Sequence, residues 1–170
     1  MKPIALIVSL FLVSCVTPKG FVPSGQRLDF KQYHVAQVFT TDEVQSPYSK
    51  QAIPMFEGLL RGKLQSLGFA LSDEQPDLRV HIKIKTFDPG NRAVRMIVGF
   101  GAGKAQLTFV GIFQDTSGKV LAEMSGGKYY TAMELSDNPM FYSDEQIQMG
   151  LITQSVSQVG RFIETNGKLD

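Results

Sequence analysis

The chain has 170 residues, 43% of them hydrophobic and 19% charged, with a formal net charge of +1. That balance fits one compact domain, excludes a chain disordered throughout, and gives no general positive field of the kind that binds nucleic acid. With a single cysteine, neither an internal disulfide nor a cysteine-built metal cage can form.

Met1 and Lys2 open on a positive charge, and Ile4 to Val13 is an almost uninterrupted apolar run, too short to cross a bilayer as a stable helix. It ends in Leu12-Val13-Ser14-Cys15, which resembles the lipobox of bacterial lipoproteins: an aliphatic residue, small or moderate residues, then the thiol that accepts a diacylglycerol. Residues 1–14 are therefore expected to be a signal peptide. Residues 15–27 become an acylated Cys15 followed by a flexible tether, and residues 28–170 an α+β envelope domain. Several acyl chains hold a protein on a membrane without any spanning helix, at roughly 0.8 kcal/mol per buried methylene. Val16, where some lipoproteins carry Asp, fits sorting to the outer membrane on its periplasmic side.

Between Thr17 and Gln26, Pro18, Gly20, Pro23 and Gly25 argue against helix and strand alike. A first strand is expected over Tyr33 to Phe39, where His34 reads as a packed or surface residue with no second ligand at a useful spacing. From Ala52 to Leu67, Ile53, Phe56, Leu59, Leu60, Leu64 and Leu67 fall on one side at helical spacing. Pro54 suits the first turn of that helix, and Gly68 the left-handed position beyond its end. Lys63 falls within the apolar arc, either as a stem covering apolar surface with its amine in water or as a buried amine.

The pattern is strongest from Leu78 to Met124. Leu78, Val80, Ile82, Ile84 and Thr86 alternate with Arg79, His81, Lys83 and Lys85, the period of a half-buried strand. Leu107 to Phe113 is apolar on both sides and should be the central strand. Asp115 to Gly118 then turns it antiparallel into Val120, Leu121, Ala122 and Met124. Between these runs, Gly99, Gly101 and Gly103 suggest a phosphate loop, but Val98 and Ala105 stand where that motif needs Gly and Ser or Thr. A structural turn or bulge fits better, and a hairpin of a multisubunit membrane barrel stays open. Six Lys or Arg residues lie between Arg79 and Lys104 against Asp88 alone. Arg79, His81, Lys83, Lys85, Arg92 and Arg95 are therefore the candidate contact for an anionic envelope partner. The competing reading is a solvated face, or one satisfied by the acids of Glu134 to Glu145.

Gly126-Gly127 is expected to relax the last strand. Ser143 and Gln146 form a capping box for a helix packing through Met149, Ile152, Val156, Val159 and Ile163, with Leu151 and Phe162 at its edge. The fold class is α+β, a two-layer sandwich of a mainly antiparallel sheet with two amphipathic helices on one face. Taken together, Cys15, Gly68-Phe69, Asp77-Leu78-Arg79-Val80, Gly99 to Gly103 and Asp115 through Gly118-Lys119-Val120 resemble a family of bacterial lipoproteins, domain of unknown function 4410. The resemblance implies an envelope lipoprotein and brings no catalytic residues.

A non-enzymatic binding or scaffolding module for an envelope protein or polymer is the first expectation, with no cofactor, no metal and no nucleic acid. A subunit of an oligomeric secretion channel or pore is the alternative. An envelope hydrolase comes third, with neither a G-x-S-x-G elbow nor a Cys in the domain and only His34 and His81 as imidazole bases.

Overall fold

The computed structural model describes residues 18–23, 28–45, 47–91, 94, 103–130 and 143–168. Cys15, Arg92, Arg95, Gly99 and Gly101 lie outside them. Six strands, β1 (Lys19–Phe21), β2 (Val35–Asp42), β3 (Ala70–Leu71), β4 (Leu78–Asp88), β5 (Ala105–Gln114) and β6 (Val120–Tyr130), form one open sheet in the order β1-β6-β5-β4-β2-β3. Two helices, α1 (Pro47–Ser66) and α2 (Asp144–Glu164), complete the two layers.

Alternation makes the sheet two-faced. Val80, Phe113 and Ala122 occupy one row of cross-strand partners, and Ile84, Phe109 and Gly126 another; both rows point to the same side. Against that side pack α1, chiefly on β2, and α2, on β5 and β6, while the helices also touch each other. Aromatic edges lock the layers, with Phe56 of α1 5.7 Å from Phe109, and Phe162 of α2 stacked 5.1 Å from Phe113. Phe30, in a short 3-10 turn, closes the cluster against both Phe113 and Phe162. β5 is the interior strand its composition foretold.

The fold class is the expected α+β sandwich, and the departures from the expected elements have local causes. β2 runs parallel to both β4 and β3, so α1 serves as the crossover that parallel neighbours require. α1 begins at Pro47, leaving Pro54 inside the helix and not in its first turn. The extra turn is fastened by Ser49, fully buried, whose hydroxyl donates to Asp42 Oδ2 at 2.5 Å. In β4 a bulge between Ile84 and Thr86 shifts the period, so Phe87 is buried where Thr86 was expected to be. Leu59 and Met149 are exposed, at 37% and 44%, whereas Leu151 and Phe162 are wholly buried.

Gly126 and Gly127 lie inside β6, which continues to Tyr130. A side chain at Gly127 would come within 2.3 Å of the Leu107 carbonyl oxygen. At Gly126 the space is taken by Gln158 of α2, whose Oε1 would lie 2.5 Å from an added Cβ. The Gln158 amide accepts from Gly127 N–H and donates to Gly127 C=O, both at 2.9 Å. The capping box at Ser143 and Gln146 forms in both directions, and Gly68 adopts the left-handed conformation at φ 94°. Lys63 takes the snorkelling course: its stem covers Gly160 and its amine meets Glu164 at 2.9 Å.

Candidate functional site on the open sheet face

Neither helix covers the other face of the sheet. Cross-strand pairing arranges its side chains in rows: Gln37, Arg79 and Gln114; then Phe39, His81, Ile112, Glu123 and Phe21; then Thr41, Lys83, Val110, Ser125 and Lys19. The face is apolar in its middle and carries cations on two flanks.

Of the six cationic candidates, the structure brings three onto this face. Arg79 is half-buried between the two glutamines, and its Nε is buried with no hydrogen-bond partner among the described residues. A guanidinium nitrogen removed from water without an acceptor is costly, so an anion reaching it would gain more than at an exposed lysine. His81 stacks on Phe39 at 4.2 Å between ring centroids, and its Nε2 is hydrogen-bonded to Thr41 Oγ1 at 2.9 Å. Burial, and secondarily the charge of Lys83, depress its pKa below the usual 6.5, against a weaker pull from Glu43. His81 is thus a neutral ring at neutral pH and adds shape here, not charge. Lys85 is the bulged residue itself and is already engaged by Glu43, whose own pKa is lowered chiefly by that hydrogen bond. Arg92 and Arg95 lie outside the described residues.

Of the glycines, Gly103 is described. Its φ of 65° is left-handed, and its carbonyl accepts from Asn91 N–H at 3.2 Å, closing the neck of the connection between β4 and β5.

Two features of the structure go beyond what the sequence pattern predicts. Lys19 and Phe21 belong to an edge strand on the same face, in a stretch whose prolines and glycines argued against any strand. A cavity of about 350 Å³ opens at the end of α1, floored by Phe30, Leu67, Phe69 and Ile163 and rimmed by Tyr33 and His34. Burial, then Asp115 and Asp77, raise the pKa of Tyr33 there. Only the folded chain brings these segments together, so no local signal marked the cavity. His34 and His81 belong to different surfaces, and among the described residues no group of three or more His, Cys, Asp or Glu could hold a metal. Among them, too, no helix is long and apolar enough to cross a membrane.

Residues 36–133 match the model of a protein family, a domain of unknown function, DUF4410. The chain belongs to that family. The matched span runs from β2 to just beyond β6, so the parts of the open face on β2, β4, β5 and β6 belong to the DUF4410 domain, while β1 and α2 flank the match. No curated protein matches the sequence. Among solved structures, a single-substitution variant of the PelC dodecamer from Paraburkholderia phytofirmans is similar at 14% identity and a TM-score of 0.53, covering 84% of this chain and 97% of that one. A candidate lipoprotein from Caulobacter crescentus CB15 is similar at 9% identity and a TM-score of 0.50, covering 75% and 88%. A minor lipoprotein from Acinetobacter baumannii is more distant, at 14% identity and a TM-score of 0.45, covering 79% and 92%. For the first two, at these identities, the shared property is the fold.

Proposed function

We propose that this DUF4410 protein is a bacterial envelope lipoprotein, held by acyl chains on Cys15, whose domain binds or scaffolds an anionic envelope component without catalysis. The observation that carries the reading is Arg79, whose buried Nε faces no acceptor among the described residues on a sheet face that neither helix covers. Lys83 lies on the same strand and face, one cross-strand row beyond His81, so a phosphate- or carboxylate-bearing polymer, or an acidic protein surface, meets two cations along one line. The lipobox-like run before Cys15 supports the anchor, and Val16 supports the outer membrane with the domain facing the periplasm.

Cross-linking in intact cells, followed by affinity recovery and mass spectrometry, tests this reading. Native protein is expected to yield a distinct partner, and Arg79→Gln with Lys83→Gln to lose it while the protein stays in the membrane fraction. Unchanged recovery from that variant refutes the contact. A second reading, a subunit of a homo-oligomeric channel, is favoured by the fold shared with the PelC dodecamer. It predicts cross-linked multiples of this chain alone.

A further inference from the structure

We propose that β1 docks the domain edge-on against the bilayer, with the Phe21 ring among the lipid headgroups and Lys19 beside their phosphates. The inference rests on reading Cys15 as the acylated residue. Its first support is the length of chain between that anchor and the first paired strand. Cys15 and Lys19 are four residues apart, so a fully extended chain places the start of β1 no more than about 14 Å from the Cα of the acylated Cys15. Were the whole stretch to Leu28 loose, the reach would be about 45 Å and the domain could move clear of the headgroups.

The strand is seated. Its backbone pairs with Glu123 to Ser125 of β6, and Gly20 turns inward, where an added Cβ would stand 2.4 Å from the Phe162 ring. Val22 follows it into contact distance of Gly167. With Gly20 committed to the core side, Lys19 and Phe21 face outward.

Chemistry is the second support. Phe21 is 62% exposed, an aromatic ring held in water a few residues from a lipid anchor. Lys19 is exposed beside it, and an amine near anionic headgroups is attracted within a Debye length. Glu123 pairs across from Phe21 on β6 and limits the depth, since its carboxylate stays on the aqueous side. β4 lies three strand spacings further along the sheet, about 14 Å. Arg79 and Lys83 therefore stand beyond the lipid phosphates and remain available to another partner.

The chain contains no tryptophan, so one introduced indole reports without background. The full-length protein carrying Phe21→Trp is compared with Tyr48→Trp, a 53% exposed position on α1, in phosphatidylethanolamine and phosphatidylglycerol vesicles brominated at set acyl depths. Intact mass establishes acylation, and circular dichroism matching the native protein establishes folding. The expected result is blue-shifted, quenched emission from Phe21→Trp at a depth of about 5–10 Å, with Tyr48→Trp unquenched. Acylated Phe21→Trp protein that emits as in water overturns the docking and leaves the anchor intact. Equal quenching of both reporters overturns the edge-on orientation. A mass without acyl chains overturns the anchor and the docking with it.

Discussion

Gln158 is the side chain on which the join between α2 and the sheet turns. Its amide meets both backbone groups of Gly127, which are buried, so Gln158→Leu leaves a donor and an acceptor without partners. The expected loss is about 2 kcal/mol, read from the urea midpoint at unchanged slope. His81 sets a pH dependence of known sign. Unfolding removes the burial and the Lys83 charge that depress its pKa, so the unfolded chain takes up the proton first as pH falls. The stability contributed by neutral His81 is complete above about 6.5 and is lost as pH falls below it. Urea midpoints measured from pH 7 down to pH 5 should fall less steeply in His81→Gln than in the native protein. A slope unchanged by the substitution would assign the dependence to other groups.

At the scale of elements, α1 is built below its own optimum. Gly58 and Gly62 lie on its exposed side, and a Cβ added at either meets nothing within 4 Å. Gly58→Ala and Gly62→Ala should each stabilise by about 0.5–1 kcal/mol by restricting the unfolded chain. Thermal midpoints that fall instead would show that the helix needs the flexibility. Gly127 is the contrasting case: Gly127→Ala sets a methyl against the Leu107 carbonyl and should cost about 3 kcal/mol, seen as a lowered thermal midpoint.

The elements also show where sequence suffices. β4, β5 and the capped start of α2 were legible because their signals, alternation and the Ser143 to Gln146 exchange, are contained in neighbouring residues. The start of α1 was not, because Pro47 and Pro54 both suit a first turn and the choice is made by an acceptor outside the helix, Asp42 at the end of β2. The bulge at Ile84 and the parallel pairing of β2 answer to partners that the local pattern does not contain.

At the scale of the whole molecule, the candidate site was half legible. The alternation of Arg79, His81 and Lys83 placed them on one face, but their difference in standing is a product of assembly. Phe39 takes His81 into a stack, Glu43 engages Lys85, and Arg79 alone is sunk between two glutamines. Removing Arg79 is therefore expected to weaken partner recovery more than removing Lys85. Comparing Arg79→Gln with Lys85→Gln in the same cross-linking experiment checks that order, and equal losses would reduce the site to its total charge.

β1 has a further consequence in time. Lys19 finds its partner at Ser125, more than a hundred residues downstream, so the pairing cannot form until β6 exists, and closing so long a loop is entropically slow. With only three residues and a solvent-exposed outer edge, it is also a pairing expected to open well before the interior strands. A chain already fixed to lipid would thus fold on a slack leash and shorten it only at the end, reeling the finished domain down onto its membrane.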